Sequence, residues 1–388
     1  MAAPRATARE TRRRPGVLRG LVKAVRCLTT PLMPDDYLGL LNPLWSAGEL
    51  RGRIEAVHLE TADAATIVIR PGHRWTGHKP GQWVRIGLDI EGRRHWRTYS
   101  LSSAPQRPDG RITITVKAVP DGLVSRHLVR RATPGTIVSL SRPEGEFVLP
   151  DPPPPRLLFL TAGSGITPVM AMLRGLTEAA AGGTGPRVAG FAPGTTGPLG
   201  ERPVMPDVTL VHSAPTPGDV IFGDELRDMA ARSPNLRLFE RHTRIEGRLR
   251  PADLPVLCPD WADRPAWACG PAGMLEEVTA YWAGSAGRLH VEHFRPAVLP
   301  AGGDGGRVRF AESGREVEAD GGTPLLTVGE GAGVLMPSGC RMGICFGCVG
   351  RLSSGRVRDL RTGRVHGEEG DLVQTCVSAA AGPVEIEL

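Results

Sequence analysis

Residues 157–173, LLFLTAGSGITPVMAML, pass from a short apolar run through a glycine-rich turn into a helical pattern. That order predicts a buried strand, a tight turn and a helix. Gly163 and Gly165 let the backbone curl beneath a diphosphate, Thr167 is placed to cap the helix, and Pro168 suits its first turn. Free N–H groups and the helix dipole at such a turn favour a phosphate. A G-x-G turn alone is a weak signal, because tight strand-to-helix turns use glycine for steric reasons as well. The same order recurs: Val208–His212 and Ala266–Cys269 read as strands, and residues 268–274, ACGPAGM, form a second glycine turn before a helix. Repeated strand-then-helix units predict a parallel α/β sheet, with two turns cradling a dinucleotide at the carboxyl edge of its strands.

Working outward, residues 46–150 change character. Gly52–Glu60, Ala65–Arg70, Trp83–Leu88, Arg111–Ala118 and Ile137–Leu140 are β-branched runs bounded by turn residues, which predicts an antiparallel barrel or sandwich. Alternation along the segment ending Arg97-Thr98-Tyr99-Ser100 puts Arg97 and Tyr99 on one face, a cation for phosphate beside an aromatic for stacking. Spacing alone favours a surface arginine and a half-buried tyrosine.

Toward the C-terminus, Cys340, Cys345, Cys348 and Cys376 read C-x4-C-x2-C followed after 27 residues by a last cysteine. This is the spacing of a plant-type [2Fe–2S] site. Gly339, Gly343 and Gly347 let the loop backbone approach a cluster and turn amide N–H groups toward its sulfurs. Structural zinc draws instead on two short cysteine knuckles, and disulfides need an oxidising compartment for which no cleavable apolar leader is seen. Cys27 and Cys258 read as small hydrophobes. Residues 307–388 otherwise read as short strands around one helix near Thr323–Glu330.

The chain has 388 residues with 50 Gly and 36 Pro and a net charge of +6. Expected segments are a basic N-terminal extension at 1–45, a barrel at 46–150, a nucleotide domain at 156–296 and a cysteine-bearing domain at 307–388. Asp151-Pro152-Pro153-Pro154-Pro155 is a stiff connector, 296–306 a flexible one, and 181–206 an irregular surface insertion. No apolar stretch is long enough to span a bilayer, so a cytoplasmic protein with no nucleic-acid partner is expected. The first 26 residues carry eight Arg or Lys against Glu10 alone. Val17, Leu18, Leu21, Val22, Val25 and Leu28 fall at helical spacing among them, so this segment either rests peripherally on the inner face of a membrane or packs on the barrel.

Taken together, Pro80-Gly81-Gln82-Trp83, RTYS at 97–100, Gly122-Leu123-Val124-Ser125, TAGSGITP at 161–168, ACGPAGM at 268–274, Glu292-His293-Phe294 and the four cysteines resemble the ferredoxin–NADP reductase superfamily, in the branch with a C-terminal ferredoxin domain. The resemblance implies an antiparallel FAD-binding β-barrel, a parallel α/β nucleotide domain and a β-grasp ferredoxin domain. It implies that Arg97, Thr98, Tyr99 and Ser100 hold the flavin, with Arg97 at its phosphate, Tyr99 on its ring and Ser100 near N5. Gly122, Val124 and Ser125 would hold a pyrophosphate, favouring FAD. Gly163, Gly165, Thr167 and Gly270 would bind the pyridine nucleotide. Cys269 would border the hydride path, and Phe294 would cover the flavin face until nicotinamide displaces it. The four cysteines would ligate the cluster, and electrons would run from NAD(P)H through FAD to [2Fe–2S].

One departure bears on the nucleotide. Relatives that read S-A-R-T-P place an arginine where this chain has Pro215 in Ser213-Ala214-Pro215-Thr216-Pro217. Its loss leans the reading toward NADH, with Arg241 or Arg244 as substitutes that keep NADPH open. The N-terminal extension is similar to that of actinobacterial-type reductases serving fatty-acyl desaturases, which implies a membrane desaturase as electron acceptor. A cytochrome P450 or a Rieske-type hydroxylase is the alternative acceptor, and a redox-sensing flavoprotein or a zinc-stabilised interaction protein the alternative class.

Overall fold

The computed structural model describes residues 41–388 apart from 47, 106, 121, 182–203, 284–287, 295–302, 304, 340, 344 and 345. The N-terminal amphipathic pattern, most of the 181–206 insertion and most of the 296–306 connector therefore lie outside the described residues.

The first sheet is antiparallel: β1 (Arg51–Thr61), β2 (Ala64–Pro71), β3 (Trp83–Ile90), β4 (Arg93–Ser100), β5 (Ile112–Lys117) and β6 (Ile137–Leu140), in the order β4-β3-β6-β1-β2-β5. Its two edges meet. Leu101, just past β4, bridges Ile114 of β5, and Ser102 N donates to Thr113 O at 2.8 Å. Closure removes exposed edges and makes the sheet a barrel. Ile54, Ile67, Ile69, Val84, Ile86 and Leu128 pack inside it. Helix α1 (Leu123–Arg130) lies between β5 and β6, where only a phosphate-gripping turn was expected.

The second sheet is parallel, with β7 (Arg156–Ala162), β8 (Asp207–Ala214), β9 (Leu236–His242), β10 (Ala266–Cys269) and β11 (Leu289–Glu292) in the order β11-β10-β7-β8-β9. Helices α2 (Ile166–Ala180), α3 (Gly223–Arg232), α4 (Thr243–Glu246) and α5 (Ala272–Tyr281) connect its strands. Both faces are covered, as parallel sheets require. Leu157 and Phe159 of β7 pack with Val169, Met172 and Leu173 of α2, whereas Leu158 and Leu160 pack with Leu275 and Val278 of α5. Each such buried aliphatic contributes roughly 1.5–3 kcal/mol relative to exposure. The chain runs β7 to β8 to β9 outward, then returns to place β10 on the other side of β7. The switch point therefore lies between β7 and β10.

Barrel and parallel sheet are locked together. Arg174 of α2 donates to the Ser102 carbonyl at 2.6 Å and to both Glu225 oxygens at 2.8 and 2.6 Å, while lying over the Phe222 ring. Trp267 Nε1 donates to Val148 O at 3.3 Å. These contacts set the end of β4 against the carboxyl edge of the parallel sheet.

The third sheet is mixed: β12 (Gly306–Phe310), β13 (Arg315–Ala319), β14 (Val349–Asp359), β15 (Val365–His366) and β17 (Ser378–Glu387) in the order β13-β12-β17-β14-β15, with β16 (Leu372–Gln374) paired to β14. Parallel pairing of β12 with β17 accompanies antiparallel neighbours. Helix α6 (Leu325–Gly331) begins two residues later than the expected start at Thr323, because Thr323 is held in a turn by the Asp320 carboxylate. Leu325, Val308, Phe310, Leu352 and Ile386 form this unit's own core.

Candidate functional site

The end of β4 carries the first group. Arg97 is half-buried, donates to the Trp96 carbonyl at 2.8 Å, and takes part in none of the ion pairs among the described residues. Burial, then the neighbouring Arg341 guanidinium, push its pKa down, so the site is short of negative charge. Tyr99 packs against the barrel core, and burial raises its phenol pKa. The Thr98 hydroxyl is buried without a protein partner, and Ser100 is buried at the strand end. A cation lacking a carboxylate, an aromatic and an unpartnered hydroxyl fit an anionic aromatic ligand such as a flavin phosphate and ring.

Gly122 precedes α1, and a β-carbon there would clash with Ser125 Oγ and the Val119 side chain. Ser125 Oγ donates to Gly122 O at 3.2 Å and accepts from Val119 N at 3.3 Å. Val124 is buried in the barrel core. This segment is thus a closed local turn at a helix start. The Gly122 N–H is itself taken by Val119 O at 3.0 Å, so the backbone N–H groups of the first turn of α1, and not Gly122 or the Val124 side chain, fit the role expected for a pyrophosphate grip.

At the switch point β7 and β10 run in register, Thr161 beside Cys269. Gly163 has a φ of +53°, and a β-carbon there would meet nothing within 4 Å, an open cradle at the turn. Gly165 is different. Its missing β-carbon leaves room for the backbone of Cys269 and Gly270, so this glycine joins the two turns to each other. Thr167 does not cap α2. It sits inside the first turn, where its hydroxyl donates back to Ser164 O at 2.9 Å, because the glycine turn leads directly into the helix at Ile166. Gly270 lies against Met274 and Ala162. Ser213 Oγ is buried without a partner at the end of β8, a polar atom suited to a ligand in this crevice.

Cys269 is fully buried, and burial pushes its thiol pKa well up, with Glu292 adding to the shift. Glu292 stands beside it in the β10–β11 register, and burial raises its carboxyl to about 7. Sequence reasoning assigned Glu292 no role, since nothing local shows that it neighbours Cys269. Phe294, two residues on, packs against the core of the parallel sheet.

Arg241 and Arg244 separate clearly. Arg241 donates to Gly247 O at 3.1 Å and Glu246 O at 2.8 Å and reaches toward Asp253. Arg244 on α4 is exposed, and its backbone N–H donates to Pro215 O at 3.0 Å. That bond places α4 beside the loop after β8.

Of the four cysteines, Cys340 and Cys345 lie outside the described residues. Cys348 and Cys376 are both buried and unbridged, packed together with Leu326 and Val377. A hydrogen bond from Cys376 is the leading cause holding the Cys348 thiol down at about 6. Thr375 Oγ1 donates to Cys348 O at 2.7 Å, while Gly343 O accepts from Gln374 Nε2 at 2.9 Å and Arg361 Nη1 at 3.2 Å. Those bonds tie the loop to the segment bearing the last cysteine. Two adjoining buried thiols, one of them with its pKa held down, fit a metal cluster. Among the described residues no set of three or more metal-ligating side chains converges, and none of the helices there is long and apolar enough to cross a membrane.

Comparison with known proteins agrees with this geometry. Residues 54–149 match the oxidoreductase FAD-binding domain family, and 308–381 the 2Fe-2S iron-sulfur cluster binding domain family. The chain is 50% identical over 373 residues to an NADPH oxidoreductase of Mycobacterium tuberculosis, covering 95% of this chain and 92% of that protein. It is 29% identical over 385 residues to a glycine betaine monooxygenase reductase subunit of Pseudomonas aeruginosa, covering 89% of this chain and 98% of that one. Phthalate dioxygenase reductase, a modular structure for electron transfer from pyridine nucleotides to [2Fe–2S], shares the fold with a TM-score of 0.57 at 22% identity, over 89% of this chain and 99% of that one.

Proposed function

This chain belongs to the ferredoxin–NADP reductase superfamily, in the branch with a C-terminal [2Fe–2S] ferredoxin domain, and from that premise we propose that it is the NADPH-dependent reductase component of an oxygenase or desaturase system. The observation that carries the reading is the buried, unbridged pair Cys348 and Cys376 in a chain whose barrel ends in an arginine without a carboxylate. FAD, when bound, would supply the chemistry that splits a hydride's electron pair into single electrons, and a [2Fe–2S] cluster would supply one-electron transfer.

The chain's own residues supply binding, orientation and exclusion of water. Arg97 would hold the flavin phosphate, Tyr99 would pack on the ring, Thr98 and Ser100 would donate hydrogen bonds, and the N–H groups at Val124 and Ser125 would hold the pyrophosphate, with Gly122 shaping the turn. Gly163 opens the cradle for the pyridine nucleotide, Gly165 fixes the spacing between the turns, and Thr167 and Gly270 border the nicotinamide end. Cys269, kept as a neutral thiol by burial, and Glu292 line the hydride path, and Phe294 covers the flavin face. Cys340, Cys345, Cys348 and Cys376 hold the cluster. We propose 1–45, 46–150, 156–296 and 307–388 as the domain limits.

NADPH is the preferred donor on this reading. The half-identical relative is named an NADPH oxidoreductase, and Arg244 replaces the absent arginine at Pro215. For the acceptor, a membrane fatty-acyl desaturase matches the basic N-terminal pattern, while a soluble oxygenase component matches the monooxygenase reductase subunits among the relatives. Reconstitution decides between them. Desaturation by membranes bearing the desaturase should need this chain, and should fall when residues 1–30 are removed. Unchanged desaturation after that deletion would overturn the membrane reading. Cys348→Ser should abolish delivery to the acceptor yet leave flavin reduction by NADPH intact, as followed by stopped-flow absorbance.

A further inference from the structure

The outer face of the barrel carries a run of buried hydroxyls. Thr113 and Thr115 of β5 alternate with Ile112, Ile114 and Val116 of the barrel core, Thr66 of β2 stands between Ala65 and Ile67, and Ser102 follows Leu101. All four point away from that core, yet all are buried. Thr66 Oγ1 donates to the Glu60 carboxylate at 2.6 Å. Thr66 and Thr115 are register partners with their hydroxyl oxygens 2.8 Å apart, and Ser102 Oγ lies 2.9 Å from both Thr115 Oγ1 and Thr113 Oγ1. Most side-chain hydrogen bonds run to backbone or water, whereas these run from hydroxyl to hydroxyl. Packing does not call for them, since a buried hydroxyl costs more than a methyl group unless it is bonded.

The direction of the chain is fixed by its outer end. A carboxylate only accepts, so Thr66 spends its single hydroxyl proton on Glu60 and must accept from Thr115. Thr115 must then accept from Ser102, and Ser102 from Thr113. Every O–H therefore points along the chain toward Glu60, which is half-buried. Ser102 keeps one lone pair open at the inner end. That end lies at the seam between barrel and parallel sheet: Arg174 of α2 donates to the Ser102 carbonyl at 2.6 Å, and β5 lies against the Gly163–Gly165 turn. Ser100, two residues back, shares the Ser102 face of the chain, opposite Leu101.

We propose that Ser102, Thr115, Thr66 and Glu60 form a proton relay that drains the flavin site to solvent. The proposal rests on the flavin reading above, which sets Ser100 near N5. NADPH gives up two electrons and one proton as a hydride, and the cluster takes electrons only. One proton per NADPH is therefore left at the flavin site and must reach water. It crosses from Ser100 to the open lone pair of Ser102, about 7 Å along the strand, through one bridging water. Ser102 passes its own proton to Thr115, Thr115 to Thr66, and Thr66 to Glu60, which releases it. Each O–H bond broken is matched by one formed at the next oxygen, and rotation of the hydroxyls restores the starting direction.

The test uses the full chain with FAD and its cluster, mixed with NADPH and excess ferricyanide in weak buffer with a pH-indicator dye. Flavin absorbance reports reduction, and the dye reports the proton released. Thr115→Val cuts the relay at its middle and should slow proton release about a hundredfold relative to flavin reduction, within what a positioned proton-transfer group contributes. Thr115→Ser should restore it. The FAD dissociation constant, from flavin fluorescence, should be the same in all three chains. Infrared difference spectra give a second readout: the carbonyl band of a protonated carboxyl should appear transiently in the wild type and be missing from Glu60→Gln and Thr115→Val. Wild-type release from a Thr115→Val chain that holds FAD, or slowing that Thr115→Ser does not reverse, overturns the relay. If Thr115→Val does not fold, Glu60→Gln at the outer end is read instead. It should slow release as much, and unchanged release overturns the proposal. If Arg97→Gln keeps FAD at wild-type affinity, the flavin reading itself is wrong and the relay falls with it.

Discussion

Gly165 and Cys269 touch backbone to backbone: a β-carbon on Gly165 would overlap the Cys269 carbonyl oxygen. The two turns of the switch point are therefore one structure, and their separation is set by a missing side chain rather than by a ligand.

Gly165→Ala should accordingly displace the Cys269–Gly270 turn. Overpacking against backbone costs about 3 kcal/mol, and NADPH binding should fall with it. Gly163→Ala meets no atoms and is strained only by its positive φ, at about 1 kcal/mol. Chemical denaturation and the KM for NADPH, measured on both variants, check the ordering; equal losses would refute it.

Arg97→Gln removes a half-buried cation that takes part in none of the ion pairs among the described residues. The flavin-free chain should lose little stability, since the charge has no ion-pair partner there and burial already disfavours it. FAD affinity should drop about a hundredfold, the worth of a charge-assisted pair. Fluorescence titration and thermal unfolding of the flavin-free chain measure the two effects.

Arg244→Gln should raise the KM for NADPH about tenfold and leave that for NADH unchanged, if the exposed Arg244 beside Pro215 takes the 2′-phosphate as proposed. Arg241→Gln should change neither by much, being committed to Gly247 O, Glu246 and Asp253. Steady-state kinetics with both nucleotides distinguishes them.

Glu292 makes a pH-dependent contribution. Its carboxyl is raised by burial from 4.5 to about 7, so the folded protein binds a proton that the unfolded chain has released over that window. Stability falls as pH rises from about 4.5 through about 7, by at most about 3 kcal/mol. Glu292→Gln should remove that fall, gaining on the wild type with rising pH until about pH 7. Denaturation midpoints at pH 5 and pH 8, compared for the two chains, give the answer.

Much of this protein was legible in its sequence because the decisive signals are local. The C-x4-C-x2-C spacing states the metal chemistry, the glycine turns at 163–165 and 270–273 mark the ends of parallel strands, and alternation at 93–100 marks a strand with Arg97 and Tyr99 on one face. Each rests on backbone geometry within a few residues. Helix α1 escaped notice because it is only two turns long and was absorbed into a phosphate motif. Thr167 misled because hydroxyl capping and back-bonding to Ser164 O look alike in sequence.

What tertiary structure alone decided lies between residues far apart in the chain. Closure of the barrel by Leu101 and Ile114, Gly165 making room for Cys269, Glu292 set beside that cysteine, and Arg241 tied to Gly247 and Glu246 while Arg244 stays exposed all depend on strand register and on which surfaces are buried together. Local periodicity states which face of a strand is apolar; it carries no information on which distant backbone that face will meet. Charge and hydrogen bonding at a site are properties of that meeting, so the cofactors could be read from the residues and their electrostatic neighbours could not.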